Sequence, residues 1–304
     1  MPKAFVFTEY GGPETQAFVD VAKPVPGAGQ VLVRVRAAGV NPVDWKLRAG
    51  YLRDFMPLDL PAVFGQEVAG IVEAVGDGVE AFAAGDEVFG SVSAGGYAEY
   101  AVLPAEAAAR KPPGMSFTDA AALPVAAATA YDGLHQLGLQ SDQTLLITGV
   151  GGGVGVAAAQ IARHGGITVI GTASAAKQKF VESLGVSHVT YGDGVVDRVR
   201  AVAPDGVDGL LDLVGGDALR AVAGLVAHPS KLVTAVDPAT ASEFGGRPIE
   251  RARTRHVLET VAGLVESGVL NPYVTEILPL DQAARALSAV ESGHTQGKIV
   301  LEVS

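Results

Sequence analysis

The densest chemistry-bearing run in the chain is Gly149-Val150-Gly151-Gly152-Gly153-Val154-Gly155. It follows the apolar stretch Leu145-Leu146-Ile147-Thr148 and opens an Ala-rich, helix-forming segment. Only in that strand–turn–helix context does a glycine pattern read as a phosphate cradle. Without side chains, backbone N–H groups approach a pyrophosphate closely, and the helix N-terminus adds a partial positive charge that favours the anion. The run departs from G-x-G-x-x-G at one place: with Gly152 and Gly155 in the second and third roles, Val150 takes the first. Gly155 is the position that lets the helix pack closely on the strand. A bare strand-to-helix crossover needs one packing glycine, whereas this loop carries five.

The next strand ends Ile170-Gly171-Thr172-Ala173-Ser174, with no acidic residue, and Lys177 lies three positions on. An acid at such a strand end hydrogen-bonds the ribose 2′-hydroxyl of NAD and repels a 2′-phosphate. Ser174 and Lys177 suit a 2′-phosphate instead, so the expected cofactor is NADP(H).

Composition narrows the remaining chemistry. The chain has 304 residues and no Cys. That excludes disulfides, thiolate nucleophiles and every Cys-ligated zinc or iron–sulfur site. None of the six His pairs as H-x-x-x-H or clusters with acids, so no metal site is expected. Lys plus Arg number 22 against 33 Asp plus Glu, a net charge of −11, which leaves no basic stripe for nucleic acid. The 39 glycines exceed the usual share of about 7% and mark turns and close backbone approaches. The N-terminal residues lack the long apolar core of a secretory signal. Residues 143–162 carry no charge, but their glycines would break a membrane helix. The chain reads as soluble and cytoplasmic.

The elements that must position these residues fall into two patterns. Residues 1–110 show short β-like runs between Gly and Pro turns, such as Val31–Arg36 with its alternation of apolar and charged residues. That predicts a small barrel or sandwich. After Lys111-Pro112-Pro113-Gly114, Ala-rich helical material at 119–137 leads into alternating strands and helices. Strands are predicted at 144–149, 167–172, 188–191, 209–214 and 231–236, with helices at 154–164, 175–184, 195–203 and 217–226. Near-continuous apolar strands alternating with helices predict a parallel sheet covered on both faces, in a doubly wound α/β domain. A helix over 255–268, a strand over 274–280, a helix N-capped by Asp281 and a final strand KIVLEV complete the reading.

In this order, residues 31–50, 60–79, 85–90, 95–100, the glycine loop, GVDGLLDLVGG (206–216) and GHTQGKIVLEV (293–303) resemble one family over nearly the whole chain. It is the zinc-free, zeta-crystallin-like quinone oxidoreductase branch of the medium-chain dehydrogenase/reductase superfamily. The resemblance implies a GroES-like β-barrel domain from residues 1–120 and 273–304, with a Rossmann NADP(H)-binding domain at 121–272 inserted into it. It also implies a homodimer formed through the cofactor domain. Asn41 stands where zinc-dependent relatives carry a Cys ligand, and Gln66 where they carry His. Gly151, Gly152, Gly153, Val154 and Gly155 match the nucleotide loop. Ser174, Lys177 and Tyr191 fall where the family holds the adenosine phosphate, and Gly293 where some members add an Arg. Thr129, Val214, Ala235 and Val236 match positions lining the nicotinamide.

Without zinc there is no Lewis acid to polarise an alcohol or ketone. A quinone or an activated alkene (enone or enal) needs none, because conjugation carries the incoming charge to oxygen. Such an acceptor needs orientation, a donor to its developing oxyanion and exclusion of water. Asn41 is the first candidate donor and Tyr51 the second. The plainer alternatives are that Asn41 before Pro42 shapes a turn and that Tyr51 only lines a cleft. Asp44 is expected to orient Asn41 or Lys46, and Glu67 to brace its surroundings by hydrogen bonds. Two further readings stand beside this one. The first is an enoyl-thioester reductase whose carrier group meets Arg247, Arg251, Arg253 and Arg255. The second is an NADPH-binding sensor or structural protein with little turnover.

Overall fold

The structure, a computed structural model, describes residues 1–92 and 95–304. The N-terminal part contains β1 (Lys3–Phe7), β2 (Gln16–Asp20), β3 (Gln30–Val40), α1 (Pro42–Arg48), β4 (Ala62–Val63), β5 (Glu67–Val75), β6 (Glu87–Ser91), β7 (Tyr100–Pro104), β8 (Ala108–Arg110) and α2 (Phe117–Ala121). A π-helical turn over Leu123–Ala127 follows, then α3 (Ala128–Leu137). The alternating part comprises β9 (Thr144–Thr148), α4 (Gly153–His164), β10 (Thr168–Ala173), α5 (Gln178–Ser183), β11 (Ser187–Thr190), α6 (Val195–Val202), β12 (Gly209–Asp212), α7 (Gly216–Val222), β13 (Leu232–Thr234), α8 (Pro238–Glu243) and β14 (Arg247–Pro248). The chain closes with α9 (Arg255–Glu266), β15 (Val274–Pro279), α10 (Ala283–Glu291) and β16 (Lys298–Glu302).

Two compact units result: Met1–Val125 with Arg253–Glu266 and Tyr273–Ser304, and Ala126–Ala252 with Ser267–Pro272. The first unit holds a small sheet ordered β2-β1-β4 and a larger one ordered β15-β16-β3-β5-β6-β8, with β7 also paired to β3. In β3, Val31, Val33 and Val35 are buried while Arg34 and Arg36 are exposed, as period-2 alternation requires. From Ala37 to Val40 every residue is buried, because β16 and β5 flank this end and α2 packs on it. The α9 helix belongs with this unit rather than with the 121–272 domain expected from the sequence. The Arg255 guanidinium holds it there by donating to the Ala105 and Ala108 carbonyls, 2.7 and 3.1 Å away, and lying over Phe82.

The second unit is a six-stranded, wholly parallel sheet ordered β11-β10-β9-β12-β13-β14. Counted within the unit, that is the 3-2-1-4-5-6 order of a dinucleotide-binding sheet. The sequence pattern marks five of these strands. The sixth, β14, is a two-residue edge strand containing Pro248, too short to show periodicity. Asp281 does not cap α10: it lies in a 3₁₀ turn over Leu280–Gln282, and Gln282 holds the N-cap position. Among the described residues, no helix is long and apolar enough to cross a membrane.

Candidate active site

In the second unit, β9 ends at Thr148 and α4 begins at Gly153, so the glycine run forms the turn between them. Gly152 is the N-cap and no side chain caps the helix, which leaves the first-turn N–H groups for an anion. A Cβ on Gly155 would lie 2.5 Å from Val150 Cα. Only glycine lets α4 approach the loop backbone this closely. A Cβ on Gly151 would meet Lys177 Cδ at 2.8 Å and stand 3.7 Å from its Nζ, so the Lys177 ammonium lies beside the glycine loop. Burial lowers the Lys177 pKa, and a bound anion there would reverse that direction. Ser174 precedes the 3₁₀ turn that carries Lys177. Tyr191 is 57% exposed on a loop whose carbonyls from Thr190 to Asp193 all accept from the Arg198 guanidinium.

The strand ends beside this loop are held by a buried carboxylate that the sequence reading passed over. Asp212 accepts from the Thr148 and Thr234 hydroxyls, each at 2.7 Å, and from the N–H groups of Val214 and Gly215. The three residues close β9, β12 and β13 and so fix the segments carrying Val214, Ala235 and Val236. Val214 and Val236 are exposed, and the Ala235 N–H donates to the Asp212 carbonyl. Thr129 is buried on α3. A polar interruption of the apolar run GLLDLV is the signal that could have marked Asp212. The open N-terminal turn and the glycine-rich loop fit a dinucleotide pyrophosphate, and the adjacent Lys177 ammonium fits a further phosphate on the adenosine half.

The first unit brings Asn41, Glu67 and Lys298 together by strand register. Ile299 pairs with Val40 and Val68 with Ala38, so Lys298 and Glu67 flank the end of β3 where Asn41 follows. Lys298 Nζ donates to Asn41 Oδ1 (2.7 Å), Glu67 Oε1 (2.8 Å) and the Val40 carbonyl (3.0 Å). Asn41 Nδ2 donates to Glu67 Oε1 at 2.7 Å and reaches the Gly39 carbonyl only at 3.5 Å. Glu67 Oε2 accepts the Val125 N–H of the π-helical turn at 2.6 Å. A Cβ on Gly39 would collide with the Glu67 carboxylate and the Ala121 carbonyl, so glycine is required for the carboxylate to sit here.

Asn41 is also the N-cap of α1, with Pro42 at the first helical position. Its backbone N–H donates to Asp44 Oδ2 at 2.8 Å, as does the Tyr97 hydroxyl at 2.7 Å. Of the two expected partners for Asp44, the structure therefore selects Asn41. Burial pushes the Asp44 carboxyl up from 3.8 to about 7, against the pull of the Tyr97 and Asn41 donors. Its Oδ1 is buried with no partner. Tyr51 lies beyond the helix, 68% exposed and edge-on to Trp45 with ring centroids 5.9 Å apart. Lys298 and Tyr97 were missed from sequence; a lone Lys abutting the apolar IVL run was the available signal for the first.

A parallel 3-2-1-4-5-6 sheet with this loop, carried by a chain whose two ends build a β-domain, is the architecture of a dinucleotide-binding protein. The comparisons agree. The alcohol dehydrogenase GroES-like domain family matches residues 27–113, and the zinc-binding dehydrogenase family matches residues 184–301. Human quinone oxidoreductase is 34% identical, over 96% of this chain and 95% of its own. Tomato (Solanum lycopersicum) 2-methylene-furan-3-one reductase is 33% identical over 98% of this chain and 78% of its own. A mycobacterial protein solved as a complex with NADPH superposes with a TM-score of 0.88 at 30% identity, covering 99% of this chain and all of that one. The chain belongs to the zeta-crystallin-like quinone oxidoreductase branch of the medium-chain dehydrogenase/reductase superfamily.

Proposed function

We propose that the chain is an NADPH-dependent reductase of quinones and activated alkenes that works without zinc. The observation that carries this reading is Asn41, a buried amide fixed by Glu67 and Lys298 where zinc-dependent relatives carry a Cys ligand. When bound, NADPH supplies a hydride from C4 of its nicotinamide. The backbone of Gly151–Gly155 holds the pyrophosphate; Ser174, Lys177 and Tyr191 take the adenosine phosphate. Thr129, Val214, Ala235 and Val236 line the nicotinamide. Asn41 Nδ2 has one hydrogen on Glu67 and a second that Gly39 engages only at 3.5 Å. That second hydrogen donates to the acceptor's oxygen as negative charge develops there. Tyr51, solvent-exposed, supplies the closing proton. The human and tomato relatives are named for a quinone and a methylene-furanone, which share a C=C conjugated to a carbonyl. A cytoplasmic homodimer completes the reading.

The enoyl-thioester alternative loses support from the structure. Arg247 donates to the Ser230 and Gln136 carbonyls and Arg255 to those of Ala105 and Ala108, so these members of the arginine cluster are already committed. Anaerobic stopped-flow oxidation of NADPH with quinones, alkenals and enoyl-CoA side by side tests the assignment. Acceleration by a quinone or enone is expected; silence from both with enoyl-CoA active would overturn it. An intact NADPH site with no acceptor across the panel would favour the sensor reading.

A further inference from the structure

We propose that Lys298 is a positioning residue whose ammonium, paired with Glu67, fixes which end of the Asn41 amide is offered as a donor. The proposal rests on the reading of Asn41 as the oxyanion donor. Three observations carry it. First, the ammonium is fully used: its three N–H groups meet Asn41 Oδ1, Glu67 Oε1 and the Val40 carbonyl, and its side chain is 4% exposed. Second, the amide has one compatible orientation. A flipped amide would set Oδ1 against the Glu67 carboxylate and the NH₂ group against the ammonium, two mismatches in a dry site. Third, the backbone of Asn41 is pinned separately, through its N–H to Asp44 and from there to Tyr97. Side-chain rotation is therefore the freedom that Lys298 and Glu67 remove.

A buried ion pair is a poor device for stability, since apolar residues of similar volume often hold a core as well or better. Apolar replacements would leave the amide free to turn, and a turned amide presents a carbonyl oxygen to a developing oxyanion. Lys298 acts through Asn41 rather than on the acceptor or the cofactor.

The chain has only two asparagines, Asn41 and Asn271, so ¹⁵N-asparagine labelling of the full chain yields two side-chain NH₂ pairs, assigned with Asn271→Gln. The Asn41 pair is expected to exchange with solvent about 100-fold more slowly than that of exposed Asn271. Lys298→Met should lose most of that protection. It should also lower kcat about 30-fold, towards the value of Asn41→Ala, while acceptor KM and NADPH Kd stay within about threefold. In the Asn41→Ala background, Lys298→Met should cost about twofold or less. If Lys298→Met does not fold, the charge-neutral pair Glu67→Gln/Lys298→Met replaces it, and the amide introduced by Glu67→Gln is expected to draw Asn41 into the reverse orientation with the same loss of kcat. Fast exchange of the Asn41 pair in the native chain, or additive losses in the double variant, would overturn the proposal. Asn41→Ala with undiminished kcat overturns the donor reading and the positioning role together. An impaired Asn41→Ala enzyme beside a Lys298→Met chain that keeps both its amide protection and its kcat overturns the Lys298 role alone.

Discussion

Replacing Asp44 by an asparagine should remove a pH dependence from the stability of the first unit. Asp44 is 1% exposed. Burial raises its carboxyl from 3.8 to about 7, with Tyr97, Asn41 and Lys298 pulling it down and Glu67 adding to the rise. Both donors sit on Oδ2, and Oδ1 is left without a partner, so hydrogen bonding offsets desolvation only in part. Between those two values the folded chain binds more protons at this site than the unfolded one, so stability falls as pH rises. The protonated form's contribution is complete below the unfolded value and is lost as pH climbs through the folded one. At about 1.4 kcal/mol per pH unit inside the window, the loss from about pH 5 to about pH 8 is on the order of 3 kcal/mol. The amide of the Asp44→Asn variant would stay neutral throughout while its oxygen still accepts from Asn41 and Tyr97. The assay is urea unfolding of Asp44→Asn and the parent at several pH values, followed by the fluorescence of Trp45, the chain's only Trp and the next residue along α1. The parent-minus-variant difference cancels the other titrating groups. A difference constant within about 0.5 kcal/mol across the range, or one that rises with pH, would refute the reasoning.

Lys177→Ala should raise the NADPH Kd about 10- to 50-fold and leave NADH within about twofold, read by nicotinamide fluorescence; equal effects on both would remove the 2′-phosphate reading. Gly155→Ala should destabilise the second unit by about 1–3 kcal/mol, because the obstructing atoms belong to the Val150 backbone. The same variant should weaken NADPH binding as the N-terminus of α4 shifts away from the loop; denaturant titration and the fluorescence assay report the two effects. Elemental mass spectrometry after exhaustive dialysis should find no stoichiometric zinc. Light scattering should give the mass of a dimer of the 30.9 kDa chain; a monomer with full activity would remove the homodimer from the proposal.

The second unit was legible because its signals are contiguous. Strand, glycine turn and helix occupy residues 144–164 in one stretch, so local patterning alone exposes the segment proposed as a phosphate cradle. A failure there was local too, since β14 is two residues long; the helical material expected over 119–137 is present, divided by the π-helical turn. The first unit's polar cluster was legible only in parts. Asn41-Pro42-x-Asp44 is a readable helix start, with an N-cap, Pro at the first position and an acid at the third, yet no helix was expected there. Glu67 read as a brace, and it is one. Lys298 lies 257 positions from Asn41 in sequence. Only the antiparallel pairing of Ile299 with Val40 brings it into place, and register between distant strands is not written in either segment alone.

That same register explains why a charged pair can occupy this site at all. Lys298 and Glu67 are taken out of water, which is costly unless every donor and acceptor finds a partner. The end of β3 and the π-helical turn supply those partners at fixed positions: the Val40 carbonyl for the third ammonium hydrogen and the Val125 N–H for the second carboxylate oxygen. The missing Cβ at Gly39 supplies the volume. The Asn41 amide then lies with its oxygen on the cation and its nitrogen on the anion, so the pair's own field favours that orientation in a low-dielectric setting. In its proposed role as donor, an amide held in this way need not reorganise when charge develops on a bound acceptor, which is the condition under which a neutral hydrogen bond contributes most to a transition state.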